Sequence, residues 1–384
     1  MLNTVGRAAQ NIAYNKSKLI AKEVYLPECN YTMYYHEREA VIDGRQKIVD
    51  QQNQPTILFF HGLSMRSEDL AGFIASLNIP PHIRILCPEQ MGHGRDIDNR
   101  LLADPENYTM PTHQVMLDTT SEFLDVVKVG RNTNTFGISL GGAVCYYIHH
   151  HRPDIIKRAV LVSPAILCCV DKGLLFGVQD GSNNFCNFTS REDLKLMLRD
   201  LSTGRDDDTR KKRDPVPKFI LESVYRQSKK KAPEGHFREL LLNLMSNAGL
   251  TQSTYATTFQ HKNLIAKGNF TDDSSVDIDK VDTNPFTAVK DIDADANRLV
   301  IWPEKDRIIN YEEGKRFFEV AMATTGSEGE LVSRNKNTEF ETIRDCGHVF
   351  DANGRMIFDL IRPRVREYLL EFEGENGSTR DKQH

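Results

Sequence analysis

Ser139 stands in the stretch Phe136-Gly137-Ile138-Ser139-Leu140-Gly141-Gly142, with one glycine two residues before it and another two residues after it. An apolar, strand-like run ends here and a helix-like run begins. Missing side chains on both flanks let the backbone turn so sharply that the middle hydroxyl projects free at a helix N-terminus. A serine hydroxyl alone is a poor nucleophile, so this geometry calls for a base nearby and for amide donors around the attacked carbonyl.

Twelve histidines compete for the role of base. His348, in RDCGHVFD, follows the last expected strand and precedes the last helix, which places it at the carboxyl edge of a parallel sheet, on the same rim as the serine. His93, in PEQMGHGRD, also follows a strand and is the main competitor. His149, His150 and His151 end the helix that Ser139 opens, about two or three turns away at about 1.5 Å per residue, too far to serve it. An acid must orient the imidazole and stabilise its cation. Asp306, in VIWPEKDRI, comes just after the strand at 298–302 and faces that rim, with Glu304 and Asp345 as alternatives; a carboxylate in such a loop is otherwise an ordinary solvated charge. For the oxyanion, Leu140 N–H lies next to the nucleophile, and the loop His61-Gly62-Leu63-Ser64 after TILFF supplies Leu63 N–H. Gly62 allows close approach, and His61 braces the loop rather than entering the chemistry.

The elements that position these residues follow from hydrophobic period. YTMYYHE, TILFF, IRILCP, NTFGI, KRAVLVSP, RLVIWP and EFETI read as strands. SEDLAGFIASL, QVMLDTTSEFLDVVK, AVCYYIHHH, EEGKRFFEVA and MIFDLIRPRVREYLLEF carry apolar residues at i, i+3 and i+4. Strands alternating with helices imply an α/β fold with a mostly parallel sheet covered on both faces. Pro363 is expected to bend the last helix, not end it. From about Ile166 to about Asp291 the alternation stops: REDLKLMLRDL, PVPKFILESVYRQSKKK and EGHFRELLLNLMSNAGL are helix-like, and no strand is evident. The expected organisation is an N-terminal arm at 1–22, a core at 23–165, a helical cap inserted at 166–291, the rest of the core at 292–372 and a disordered tail at 373–384.

Composition narrows the classes. The net charge of −5 over 384 residues gives no overall attraction to nucleic acid. The seven cysteines are odd in number and show no CxxC spacing, so they are read as reduced thiols of an intracellular protein. No cofactor or metal site is expected, and no run approaches the ~20 apolar residues that would span a bilayer. Residues 1–22 lack Asp and Glu but carry Arg7, Lys16, Lys18 and Lys22. Such an arm suits a basic amphipathic helix on an anionic membrane, an organelle-targeting segment, or a helix packed on the domain.

FFHG, PEQMGHGRD, GISLGG, WPEKD and CGHVF occur in the order and rough spacing of the α/β-hydrolase superfamily, which the sequence resembles over nearly its whole length. FTSREDLKLML, VPKFILESV and FRELLLNLMSN are similar, less specifically, to the caps of monoacylglycerol lipases. Pro303 and Glu89 depart from the Gly and Asp more usual in such relatives, but neither supplies a catalytic atom. The resemblance implies an eight-stranded sheet and a Ser139, Asp306, His348 triad, in the Ser…Asp…His order of that fold. It implies a serine hydrolase that cleaves a lipid ester such as a monoacylglycerol, working in the cytosol or at a membrane or lipid-droplet surface. Leu174, Phe176, Phe185 and Phe188 could line an acyl pocket or simply pack the cap onto the core. A carbon–carbon bond hydrolase, a lipid acyltransferase and a lipid-surface scaffold remain alternatives, and oligomeric state is open.

Overall fold

Strands β1 (Ile20–Leu26), β2 (Tyr31–Arg38), β3 (Thr56–Phe60), β4 (Arg84–Pro88), β5 (Thr133–Ile138), β6 (Ile156–Val162), β7 (Asn297–Pro303) and β10 (Thr338–Ile343) form one sheet in the order β1-β2-β4-β3-β5-β6-β7-β10. β1 with β2 and β2 with β4 run antiparallel, and every other neighbouring pair is parallel. A small antiparallel pair, β8 (Ala323–Thr325) and β9 (Leu331–Ser333), stands apart. The computed structural model describes residues 14–41, 53–166, 169–180, 182–183, 185–186, 190–203, 222, 225–226, 232–247, 297–321, 323–325, 331–333 and 337–372.

Strand β3 is a nearly continuous apolar run, and every residue of β3 and β5 is buried, because both faces of the sheet centre are covered. In β3, Ile57 and Phe59 join one hydrophobic cluster and Leu58 and Phe60 the other. The period of two thus splits one pentapeptide between two cores. Helices α2 (His113–Val126), α3 (Leu140–His151) and α7 (Tyr311–Ala321) pack into the cluster that holds Phe60, Leu161 and Trp302. Helices α1 (Ala71–Ser76) and α8 (Ile357–Leu369) pack into the other, with Phe59, Phe136 and Ile301, and α8 continues through Pro363 as expected. The fold is the expected α/β arrangement, an eight-stranded and mostly parallel sheet between helical layers.

Among the described residues between β6 and β7 are the helices α4 (Lys172–Asp180), α5 (Arg191–Asp200) and α6 (His236–Asn247). A reciprocal cap starts α5, Ser190 Oγ accepting from Asp193 N at 3.1 Å while an Asp193 oxygen accepts from Ser190 N at 2.9 Å. At its end, Leu201 O accepts from Val349 N at 2.8 Å, joining the insertion to the loop that bears His348. His236 Nε2–H on α6 donates to Gly92 O at 2.8 Å, and Asn243 donates to Pro111 O at 2.9 Å.

β1, β8, β9 and α4 were not anticipated from the sequence. β1 begins inside the segment read as an N-terminal arm, after a helical turn at 14–17. It is the edge strand, so its Ile20 and Tyr25 are exposed and its alternation with Lys22 and Glu23 resembles a charged arm. Residues 1–13, two basic runs that the sequence carries at Arg210-Lys211-Lys212-Arg213 and Lys229-Lys230-Lys231, most of the helix expected at 215–231 and the tail at 373–384 lie outside the described residues. Among the described residues no helix is long and apolar enough to cross a membrane, and none of the six described cysteines forms a disulfide.

Candidate active site

Ser139 links β5 directly to α3 with φ 54° and ψ −120°, a backbone conformation that costs a non-glycine residue strain. Its amide donates to Val162 O at 2.9 Å on the neighbouring strand, and its carbonyl accepts from Ala143 N at 3.1 Å and Ala165 N at 2.8 Å. The turn is therefore held from three sides. The flanking glycines make it possible: a Cβ on Gly137 would sit 2.1 Å from Gly141 O, and one on Gly141 would sit 2.3 Å from Phe60 O. Any side chain at either position would push β5, α3 and the end of β3 apart.

Asp306 lies just beyond β7 and His348 just beyond β10, two adjacent parallel strands, so both reach the same sheet edge. His348 Nδ1–H donates to Asp306 Oδ2 at 2.7 Å. The other carboxylate oxygen accepts from the amides of Ile308 and Ile309, each at 2.9 Å. The carboxylate is fully buried and the imidazole nearly so. With its Nδ1 proton committed to a carboxylate, the neutral ring carries its lone pair on Nε2, the arrangement a general base requires. The competing acids sit elsewhere: Glu304 is exposed, and Asp345 is exposed and pairs with Lys305 at 2.8 Å.

His93 takes a different place. It is fully buried, its Nδ1 bonds Met91 O at 3.1 Å and its ring meets that of His61 at 4.9 Å, edge to face. Burial, the neighbouring His61 and His236 also acting, holds its pKa well below the ordinary histidine value. His149 is likewise buried, with its pKa lowered by burial to about 3.

Ser139 and His348 open onto one cavity of about 600 Å³. Gly62, Leu63 and Leu140 line it too, and a methyl placed on Gly62 would lie 3.5 Å from Ser139 Cβ. Leu140 begins α3, so its amide belongs to a first turn whose N–H groups have no acceptor within the helix. His61 braces this loop, its Nδ1–H donating to Gly62 O at 2.9 Å.

The rest of the wall is largely apolar. Of the four residues considered for an acyl pocket, Leu174 and Phe185 line the cavity; the side chain of Phe176 and the whole of Phe188 lie outside the described residues. Met197, Leu201, Leu241 and Leu244 from α5, its end and α6 complete that wall and were not singled out in the sequence. Their i, i+3 and i+4 stripes were visible and could have nominated them. His113 also borders the cavity, its pKa lowered by burial to about 3, so it stands there neutral. Among the described residues no group of acidic, histidine and cysteine side chains could hold a metal ion.

Comparison with known proteins agrees with the topology. The family model described as alpha/beta hydrolase fold matches residues 55–350. A search of curated protein sequences finds no match. Among solved structures, a lipase candidate from Acinetobacter baumannii AYE aligns over 95% of both chains with a TM-score of 0.59 and 15% identity. A serine hydrolase from the polyaromatic hydrocarbon-degrading bacterium Cycloclasticus zankles aligns over 91% of this chain and 96% of its own, at 0.54 and 14%. The meta-cleavage product hydrolase of Pseudomonas fluorescens IP01 aligns over 91% and 97%, at 0.53 and 15%.

Proposed function

Because the chain belongs to the alpha/beta hydrolase fold family, we propose that it is a serine hydrolase that cleaves carboxylic esters of lipid type, such as a monoacylglycerol, through an acyl-enzyme. The observation that carries this reading is His348, held by the buried Asp306, opening with the strained Ser139 onto one largely apolar cavity. Ser139 Oγ attacks the ester carbonyl as His348 Nε2 takes its proton. The Leu63 and Leu140 amides hold the oxyanion, and Asp306 stabilises the imidazolium. On collapse the carbon–oxygen bond to the alcohol breaks, and His348 gives that proton to the leaving oxygen. Water, deprotonated by the same nitrogen, then attacks the acyl-enzyme and releases the acid and Ser139.

The lipid part of the reading comes from the walls. Leu174, Phe185, Met197, Leu201, Leu241 and Leu244 offer an acyl chain only apolar contact. At about 0.8 kcal/mol per buried methylene, kcat/KM should rise about fourfold per added methylene until the cavity fills. The inserted helices act as a cap over Ser139. The acid-free N-terminus and the basic clusters at 210–213 and 229–231 would dock this cap at an anionic lipid surface. The test is hydrolysis of a C2 to C16 series of p-nitrophenyl esters, then of 1- and 2-monoacylglycerols, beside a dienoate-type diketone. Rising kcat/KM along the esters with no diketone cleavage supports the proposal. Diketone cleavage faster than any ester replaces it with a carbon–carbon bond hydrolase.

A further inference from the structure

We infer that Gln90, in the loop after β4, is a positioning residue that sets the direction of the Leu63 amide. The inference rests on the reading of Ser139 as nucleophile. A peptide unit is planar and trans, so the N–H of Leu63 points opposite to the C=O of Gly62. Whatever fixes that carbonyl fixes the oxyanion donor. Gly62 O accepts from Met65 N at 3.2 Å and from His61 Nδ1 at 2.9 Å.

The second bond exists only if the His61 ring carries its proton on Nδ1. Gln90 imposes that tautomer, because its backbone amide donates to His61 Nε2 at 3.2 Å. Its side chain does more: Gln90 Nε2 donates to the carbonyl oxygen of His61, which holds the preceding peptide unit as well. The amide cannot be turned round, since Oε1 would then face the His61 oxygen. One residue therefore clamps two successive peptide planes, 61–62 directly and 62–63 through the imidazole. The clamp is itself anchored, by Glu89 N to Tyr34 O at 2.9 Å and His93 N to Gln90 O at 3.2 Å.

A second observation separates this from ordinary loop packing. Gln90 is 5% exposed, and its Oε1 is fully buried without a hydrogen-bond partner among the described residues. An unpaired buried acceptor is destabilising, and an apolar side chain of the same length would remove it. The fold carries this burden with the Nε2 contact. Gln90 does not line the cavity, so it acts through the loop and not on the substrate.

Gln90→Met tests the inference by separating activity from stability. Its Tm should change little, because the unpaired Oε1 leaves together with the Nε2 bond to the buried His61 carbonyl, while kcat for a p-nitrophenyl ester falls about 10- to 100-fold with KM little changed, the size expected for a misdirected oxyanion donor. Affinity for an alkyl boronic acid, whose tetrahedral adduct occupies the oxyanion site, should fall by the same factor. Gln90→Glu should recover activity relative to the original protein as pH falls, because a protonated carboxyl can again donate to the His61 carbonyl. Unchanged kcat in Gln90→Met, a kcat loss with boronic acid affinity intact, or a Gln90→Glu profile parallel to the original overturns the inference. A serine-directed phosphonate separates the two levels. If it fails to modify Ser139 in the original protein, the nucleophile assignment falls and this inference with it; if it modifies Ser139 in both proteins and kcat is equal, only the inference falls.

Discussion

Replacing Asp306 by Asn changes the site by a single atom, and its hydrogen bonds determine what that atom does. Oδ1 receives the amides of Ile308 and Ile309, both at 2.9 Å, and Oδ2 receives His348 Nδ1–H at 2.7 Å. Two fixed donors meet the first position, so an asparagine must place its oxygen there and turn its NH₂ toward His348. The imidazole then meets a donor where it had an acceptor. Its Nδ1 must take the lone pair, its proton moves to Nε2, and the base that should accept the Ser139 proton is lost. Loss of orientation by this route costs kcat about 10³- to 10⁴-fold, or about 4 to 5.5 kcal/mol of barrier. Stability should hardly move, because Ile308 and Ile309 keep their acceptor. Asp306→Ala should invert the pattern. It leaves two buried amides unpaired, at about 1–3 kcal/mol each, but frees the ring to adopt either tautomer, so it loses more Tm and no more activity than the Asn variant. Initial rates on a p-nitrophenyl ester beside thermal melts decide it. An Asn variant with more than a tenth of the original kcat, or a larger loss from Glu304→Gln or Asp345→Asn, refutes the reasoning.

Leu174→Trp should fill part of the cavity and lower kcat/KM for long-chain esters about 10- to 100-fold while sparing acetate, the scale on which apolar pockets discriminate chain length; equal losses across the series would show that Leu174 is not in the acyl path. Burial depresses the pKa of His36 to about 4 and of His113 and His149 to about 3. The unfolded chain binds these protons from about pH 6.5 downward while the folded one refuses them, so this contribution is complete above pH 6.5 and is lost as pH falls toward 4 and then 3. Tm should therefore drop steeply below pH 6, and His149→Leu should flatten the slope by about one proton; a Tm that holds level from pH 7 to 4 contradicts this. Flotation on anionic liposomes should weaken with salt and with removal of residues 1–13, which spares β1, since one contribution is Coulombic and the other apolar insertion; flotation unaffected by either treatment excludes the arm as a membrane anchor.

Much of the site was legible because its requirements are local. The glycines at 137 and 141 answer to backbone contacts of 2.1 and 2.3 Å that any side chain would violate, and the apolar runs Ala159–Val162 of β6 and Leu299–Trp302 of β7 answer to burial on both faces. The choice between His348 and His93 was harder, since both follow strands in glycine-containing loops. What separates them is tertiary: the first meets Asp306 across β7 and β10, and the second is enclosed by His61 and Phe237. β1 was missed because an edge strand exposes alternate residues, so Ile20, Lys22 and Tyr25 carry no buried period. Met197, Leu201, Leu241 and Leu244 announced burial by helical stripes, but a stripe does not say whether it faces a core or a cavity. Gln90 gave no signal at all, because its role depends on the direction of a carbonyl 29 residues away in sequence.

The central claim is that His348 and Asp306 make Ser139 a nucleophile that carries the acyl group. The most direct measurement is mass spectrometry of the protein quenched in acid during turnover of a long-chain p-nitrophenyl ester, with the modified peptide mapped. The account predicts one acyl adduct, on the peptide containing Ser139, absent from Ser139→Ala and forming at least about 10³-fold more slowly in His348→Ala. An adduct on any other residue, or ester hydrolysis at the original rate by Ser139→Ala, contradicts it.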